Sequence, residues 1–437
     1  MAAETPRVAL LIESSRTYGR GILRGIGRYA HIRGPWSFFS QERDLDSGIP
    51  DWLKSWKGDG IIARIEGRRT AKALFCLGRP VVDVSGNCAF ESIPAFDTDA
   101  RAVAQLAADF FLRSGFRHLA YCGYRGIPFS DRREAAFCQY LAERGHKVRV
   151  FSSPLICYPS THIQAVEQSG LAAEKAIARW LRNQPRPLGL LACNDVRAQQ
   201  ILNACRVHGL KVPEAVAVVG VDNDDVLCGL CEPPLSSIEP DTERLGYAAA
   251  ELLDKLMKGD KPKVETVQIP PLRVVERAST DIVAIDDPIT VQAVRYIRDH
   301  VGDGIGVKDV LAHLGRSRTD LEKRFRRWLN NSVRNEIIRR RMDRACSLLR
   351  QSRLPVNEVS RAAGFNTTTH LCRLFQRHLR QTPTQYRRFQ TVRRPAAIEH
   401  PQLLSLEADL SHLSIDPFSS TYALSTLAQQ TLNTKSN

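Results

Sequence analysis

The stretch VKDVLAHLGRSRTDLEKRFRRWL, Val307–Leu329, returns in altered form as VNEVSRAAGFNTTTHLCRLFQRHL, Val356–Leu379. Each copy reads as a helix, a glycine, a polar cap and a second, amphipathic helix. The offset is 49 residues at the glycines, Gly315 to Gly364, and 50 at the apolar pairs beyond them, Leu321 to Leu371 and Phe325 to Phe375. Two copies of helix, turn, helix are the economical reading. In the first copy Ser317 is placed to cap the second helix, Leu321 and Phe325 face a core, and Thr319, Glu322 and Lys323 fall on the opposite face. In the second copy Asn366 or Thr367 caps, Leu371 and Phe375 face inward, and Thr369, Cys372 and Arg373 point out. The surrounding segment, Val291 to Gln390, is helical throughout at the 3.6 period, broken at Gly304, Gly306, Gly315 and Gly364, which predicts a compact all-α domain.

The charge lies with the repeat. Of a net +15 over 437 residues, Pro288 to Arg394 carries 24 Lys plus Arg against 8 Asp plus Glu, a net +16; Met1 to Asp287 comes to +2 and Pro395 to Asn437 to −3. A basic block confined to one helical domain is the footprint of a nucleic-acid module, because Lys and Arg neutralise phosphates and release counterions. Double-stranded DNA is the expected partner, with the second helix of each unit in a major groove. The outward residues are then the base-reading candidates: Arg373 or Lys323 on a guanine, Glu322 on a cytosine amine, Thr319 and Thr369 on a thymine methyl, with Cys372 beside them. Arg316, Arg318, Arg324, Arg326, Arg327, Arg339, Arg340 and Arg377 suit phosphates; any one of them alone reads equally well as a solvent-facing helix charge.

Upstream, the first 280 residues alternate short apolar runs with longer amphipathic ones, the pattern of parallel strands with crossover helices. Strands are predicted at Val8–Ile12, Gly60–Ala63, Val81–Val84, His118–Cys122, Lys147–Phe151, Leu188–Ala192 and Val216–Gly220, with helices between them, and the array reads as two doubly wound α/β lobes. Expected boundaries are a sensor over residues 7–280, a linker over 281–288, the helical domain over 289–392 and a Ser-, Thr- and Gln-rich disordered tail over 395–437. Open α/β sheets bind ligands outside the carboxyl ends of their strands, and polar residues recur there: Glu13 to Tyr18, Asp97 to Asp99, Asn194 and Asp195, and Asp222 to Asp224. Such a set suits a sugar, whose hydroxyls carboxylates, amides and an Arg fork can grip while Tyr18 or Phe129 covers an apolar ring face. An Asp after a strand reads as readily as a helix N-cap.

Several classes fall away. No apolar run approaches the ~18 residues of a membrane span, and the opening MAAETPRVALLIESSR has too short an apolar core for a signal peptide. Eleven scattered cysteines, an odd number, read as reduced thiols of a cytoplasmic protein. Gly19, Gly21 and Gly25 follow a strand, with Asp44 or Asp46 about twenty residues on, but their spacing is wrong for a dinucleotide fingerprint. Cys228 and Cys231 lack the second pair that zinc needs, and no nucleophile elbow occurs. No cofactor, no metal and no enzymatic activity are expected. The competing readings are a dinucleotide-dependent oxidoreductase, or a cytosolic sugar-binding protein with a non-specific nucleic-acid-binding extension.

LGRSRTDLEKRF, the link RRRMDRACSLLRQSRLPVNEVSRAAGF and the closing LFQRHLRQTPTQYRR, with Pro383, Tyr386 and Arg387, occur in order over about a hundred residues. This part resembles the AraC family of transcription regulators. The resemblance implies two recognition helices in one chain, held by a long helix from about Val333 to Arg350; the cluster Thr368, Thr369, His370 and Cys372 departs from the longer polar side chains common there. FFLRSGFRHLAYCG, RREAAF, GLLACNDVRAQQILNACRVHGLKVPEAVAVVGVDND and EPPLSSIEPDTERLGYAAAELLDKLMKG carry a second resemblance, over most of Val8–Leu272, to LacI-type regulators and periplasmic sugar-binding proteins. By position, Asp99, Arg133, Asn194 or Asp195, and Asp222 fall where that family grips its effector, and the usual amino-terminal DNA-binding headpiece is not expected. A LacI-like sensor followed by an AraC-like reader resembles bacterial regulators of sugar operons. That order implies D-xylose or a related sugar as effector, a homodimer, and activation of sugar-use genes through RNA polymerase.

Overall fold

The computed structural model describes residues 5–391 apart from 45–46, 88–89, 91, 156–162, 169–172, 261–263, 282–286, 330 and 380. Most of the expected linker and the expected tail lie outside the described residues. Two six-stranded sheets form the first part of the chain. One holds β1 (Arg7–Leu11), β2 (Ser37–Ser40), β3 (Gly60–Ala63), β4 (Val81–Asp83), β5 (Ala95–Thr98) and β11 (Thr266–Ile269), in the order β11-β5-β4-β3-β1-β2. The other holds β6 (His118–Cys122), β7 (Val148–Val150), β8 (Leu188–Ala192), β9 (Val216–Val221), β10 (Ser236–Glu239) and β12 (Arg273–Val275), in the order β12-β10-β9-β8-β6-β7. Every pairing is parallel except β10 with β12. Parallel strands are covered by helices on both faces, so the central ones must be apolar throughout. LGLLA of β8 and VAVVGV of β9 are buried at every residue.

The helices are α1 (Thr17–Arg33), α2 (Arg68–Phe75), α3 (Ala100–Arg113), α4 (Pro128–Ala142), α5 (Ile163–Gln168), α6 (Glu174–Arg182), α7 (Asp195–Val207), α8 (Asp225–Leu230) and α9 (Thr242–Met257). The chain crosses between the lobes three times: from β5 to α3, from β10 to α9, and from β11 to β12. The two-lobed α/β reading therefore holds. Five strands lie outside the seven that the sequence pattern predicts. β2 is an edge strand exposed at all four residues, β5 and β10 are polar four-residue pieces (AFDT, SSIE), and β11 and β12 are brief final additions to each sheet, so none carries a continuous apolar run.

The glycines that suggested a phosphate loop serve packing instead. A Cβ on Gly21 would lie 1.9 Å from Thr242 Oγ1, one on Gly25 2.1 Å from the Glu243 carbonyl oxygen, and one on Gly246 2.1 Å from the Ile22 carbonyl oxygen. Their absence lets α1 and α9 cross at backbone distance.

The second part is all helical: α10 (Pro288–His300), α11 (Val307–Leu314), α12 (Arg318–Leu329), α13 (Val333–Gln351), α14 (Val356–Ala362), α15 (Thr368–Leu379) and α16 (Pro383–Thr391). Asp287 caps α10, accepting from the Thr290 amide at 3.2 Å. The repeat builds two small cores on one long helix. Val333 and Ile337, from the first turns of α13, pack with Leu321 and Phe325; Met342, Ala345, Cys346 and Leu349, further along, pack with Leu371 and Phe375. Gly315, which ends α11, and Gly364, just after α14, take the left-handed conformation at φ 59° and 83°, which lets each short first helix turn into the second.

Candidate effector cleft and nucleic-acid interface

The cleft lies between the carboxyl ends of the two sheets, where the topology predicts a site. Its walls come from strand ends, the loops that follow them and the first two turns of helices: Arg16 and Tyr18 beyond β1, Arg64 after β3, Ser85 and Asn87 beyond β4, Asp97 in β5, Phe129 and Arg133 in α4, Asn194 before α7 and Asp222 after β9, joined by Glu167 of α5. They line a cavity of about 40 Å³, well short of the several hundred Å³ (roughly 300 or more) typical of small-molecule sites.

Burying this many charges is tolerable only because they answer one another. Arg16 Nη1 donates to Glu167 Oε1 at 3.0 Å, and Arg132 Nη2 to Asp97 Oδ2 at 2.9 Å; both pairs bridge the lobes. Within the first lobe Arg64 donates to Glu13 at 2.5 Å and Glu66 at 2.7 Å. Burial works against the Arg64 charge, yet those carboxylates more than offset it and hold its pKa well above the ordinary arginine value. In the second lobe Arg133 donates to the Cys193 carbonyl oxygen and lies 3.8 Å from Asp222. Burial raises the Asp222 carboxyl above its ordinary range, with Arg133, Arg64 and Arg16 pulling the other way. Asp97 is raised too, by burial, against Arg132 and Arg133. Tyr18 donates to or accepts from Thr98 at 3.0 Å under the Arg64 guanidinium, 5.3 Å from its ring centre, and Arg133 stands 5.4 Å from the centre of Phe129. The cleft thus offers carboxylates, two amides, guanidinium forks and two aromatic faces.

Tyr18, Arg133, Asn194 and Asp222 line the cavity together. Two other expected ligand contacts sit elsewhere. Asp99 caps α3, accepting from the amides of Arg101 at 2.9 Å and Ala102 at 3.1 Å, and Asp97 occupies the cleft in its stead. Asp195 is buried behind the wall, where it accepts from Ser237 Oγ at 2.5 Å and the Asp224 amide at 2.9 Å and so fixes the turn that carries Asp222. Arg16 falls within the strand-end stretch Glu13–Tyr18, whereas Arg64, Ser85, Asn87 and Glu167 lie outside every stretch the sequence points to. Arg64 follows a strand directly and could have been found by the strand-end rule; Glu167 lies inside a helix, and no sequence signal marks it. Cys228 and Cys231 are buried free thiols, and Asp44 hydrogen-bonds Ser47 in a surface loop, while Asp46 lies outside the described residues.

In the helical domain the two second helices present matching faces. Ser317 caps α12, accepting from the Asp320 amide at 3.2 Å, and Thr367 caps α15, accepting from the His370 amide at 3.2 Å. Thr319, Lys323 and Arg327 are exposed on one stripe of α12; Thr369, Arg373 and Arg377 repeat the stripe on α15. Glu322 and Cys372 are half-buried beside their cores. Arg316, Arg318 and Arg326 are exposed. Three arginines expected on phosphates are engaged inside the protein instead. Arg324 donates to Asp287 at 2.5 Å and Asp320 at 3.0 Å, tying α12 to the start of α10. Arg339 and Arg340 clasp Glu276, just beyond β12, each at 2.9 Å, and share Glu336 at 2.6 and 3.1 Å. Burial alone would raise Glu336, but the two guanidiniums pull it down to about 2.

Comparison with known proteins agrees with this division of labour. Three family models match in order: an XylR N-terminal domain over residues 7–100, a periplasmic binding protein-like domain over 108–280 and a helix-turn-helix domain over 310–388. The xylose operon regulatory protein of Escherichia coli is 31% identical over 395 residues, 89% of this chain and 98% of that protein, and its Haemophilus influenzae counterpart is 30% identical, covering 89% and 99%. A solved structure of the xylose-binding transcription activator xylR is 30% identical, covers 89% of this chain and 99% of its own, and superposes with a TM-score of 0.56. A transcriptional regulator CelR in complex with cellobiose shares the fold over 62% of this chain and 84% of that one, at 21% identity and a TM-score of 0.51. A two-lobed α/β sensor joined to a double helix-turn-helix, matched along nearly the whole length of these relatives, belongs to the family of xylose operon regulatory proteins, which are transcription regulators.

Proposed function

We propose that this chain is a cytoplasmic, D-xylose-responsive activator of pentose-use genes, without enzymatic activity, that works as a homodimer on double-stranded DNA and recruits RNA polymerase. The observation that carries the reading is the cleft itself, in which paired charges and two aromatic faces converge between lobes that are physically clasped to the helical domain through Glu276, Arg339 and Arg340. A pentose offers several hydroxyls, each able to donate to a carboxylate and accept from a guanidinium. Asp222 and Asp97 act as acceptors, Arg133, Arg16 and Asn194 as donors, and Tyr18 or Phe129 covers a ring face. Entry requires more room than about 40 Å³, so the interlobe pairs Arg16–Glu167 and Arg132–Asp97 part and sugar hydroxyls replace the lost partners. The sugar can shift the lobes only by its differential affinity for the two arrangements.

On the DNA side, Arg373 and Lys323 read base edges, Thr319 and Thr369 flank them, and Glu322 and Cys372 lie at the margin of the two reading faces. Arg316, Arg318, Arg327 and Arg377 hold phosphates. The sensor reading is tested by thermal unfolding with a panel of pentoses and hexoses. A true effector at a hundred times its Kd adds about 2.7 kcal/mol, a rise of roughly 5–10 °C in Tm for a domain of this size. A rise with D-xylose and none with hexoses is expected; no rise with any sugar contradicts the reading.

A further inference from the structure

Asp222 and Asn223 are the two described residues other than glycine with positive φ, at 112° and 47°. For side-chain-bearing residues such conformations are costly, and they persist only where surroundings over-determine them. Here the turn is held from several sides. The Asp222 amide donates to the Ile238 carbonyl oxygen at 3.0 Å, the Asn223 amide to Ser237 Oγ at 3.0 Å and the Asp224 amide to Asp195 at 2.9 Å. One face of the turn carries Asp222 into the cleft. The other carries Asn223 away from it, where Asn223 Oδ1 accepts from Arg277 Nη2 at 2.9 Å.

Arg277 is itself fixed, through Nη1 to the Leu235 carbonyl oxygen at 2.8 Å and through its amide to Ser236 Oγ at 2.7 Å. Its neighbour in the chain, Glu276, reaches Arg339 and Arg340 at 2.9 Å each. Both arginines stand on α13, whose two halves anchor the cores of both helix-turn-helix units. A strained cleft turn, one anchored guanidinium and one carboxylate therefore link the cleft to the helix on which both reading heads are mounted.

We propose that Asn223, Arg277 and Glu276 are positioning residues that transmit effector binding at Asp222 to α13, so that the sugar sets how the two second helices are presented to DNA. The proposal rests on the reading of the cleft as an effector site. A sugar hydroxyl on Asp222 changes the balance of forces on a turn already off its preferred conformation, and the turn drags Asn223 with it. Arg277 cannot follow without releasing Leu235 and Ser236, so the shift passes along the backbone to Glu276 and its two arginines. Packed cores respond to such a push by moving as a unit.

The test uses the full chain and D-xylose as the probe, with sugar affinity read by calorimetry and the amides of residues 333–343 by hydrogen exchange. Asn223→Gly removes the acceptor while tolerating the left-handed backbone, Asn223→Asp keeps an oxygen for Arg277, and Glu276→Gln weakens the clasp at a distance from the cleft. In the unmutated chain saturating D-xylose should change exchange in 333–343 by about fivefold or more, the lower end of usual coupling. Asn223→Gly and Glu276→Gln should still bind D-xylose, with affinity changed by no more than the coupling factor itself, yet lose that change, and Asn223→Asp should restore it. If Asn223→Gly also weakens the sugar, Glu276→Gln decides. A full-sized response in Glu276→Gln, or a parent chain that binds D-xylose without any change in 333–343, overturns the relay. A parent chain that binds no D-xylose overturns the effector reading itself.

Discussion

The cleft and the reading helices are both rich in arginine, and they use it in opposite ways. In the cleft every guanidinium that lines the cavity faces a carboxylate or a carbonyl: Arg16 with Glu167, Arg64 with Glu13 and Glu66, Arg133 with the Cys193 oxygen and Asp222. On the stripe Lys323, Arg327, Arg373 and Arg377 the charges are exposed and have no ion-pair partner among the described residues. The difference follows from solvation. A charge taken from water needs a partner in the free protein, and a neutral ligand can then exchange for that partner; a charge left in water keeps its hydration until a phosphate or base edge displaces it. Paired charge gives a site for a small polar molecule, and unpaired charge gives a surface for a polyanion.

That contrast can be broken in four places. The largest effect is expected where pairing is both buried and structural. Glu336→Ala leaves Arg339 and Arg340 short of a partner and should destabilise the helical domain by about 3–5 kcal/mol in urea unfolding. The parent should show the same contribution through pH: the two guanidiniums hold the Glu336 carboxyl down to about 2 in the folded chain, against about 4.3 unfolded, so its stabilisation is full above the unfolded value and is lost as pH falls through the folded one. A stability curve flat across that acid range would contradict it.

Next is Asp222→Ala, which removes a charged acceptor and should weaken D-xylose by about 1.5–3 kcal/mol in a calorimetric titration, leaving basal DNA binding intact. Burial raises the Asp222 carboxyl, so in the parent the affinity should fall as pH is lowered from neutrality toward about 5, as the acceptor becomes protonated. Comparable in size is the loss from Arg373→Ala, about 1–3 kcal/mol with relaxed preference at one base pair; Arg327→Ala should instead weaken all sequences alike and lower the salt slope by about one. A uniform loss for Arg373→Ala would remove it from base reading. The smallest change belongs to Asp99→Ala, about 1 kcal/mol of stability from a lost helix cap with sugar affinity unchanged.

The two regions were also unequally legible. The helical domain announces itself because a repeated pattern of apolar spacing, glycine and cap fixes each unit locally: Ser317, Thr367, Leu321, Phe325, Leu371 and Phe375 all stand where spacing puts them. The α/β lobes were readable where strands are apolar on both faces, as in β8 and β9, and silent where they are short and polar, as in β5 and β10. In the cleft, strand ends pointed to the neighbourhood but not to the side chain: Asp99 was as good a candidate as Asp97, and only the fold turns one into a cap and the other into a wall. Glu167 and the clasp of Glu276 by Arg339 and Arg340 join residues more than sixty positions apart or from separate lobes, and no local pattern encodes such pairs.

The central claim, that a sugar in the cleft governs what the two reading helices bind, is tested most directly by selecting duplexes from a random DNA pool with the full chain, in the presence and absence of D-xylose. Enrichment is expected of a site with two elements per chain about one helical turn, roughly 10–10.5 base pairs, apart, strong with the sugar and weak without it. Equal enrichment with and without D-xylose, or no enriched sequence at all, would contradict it.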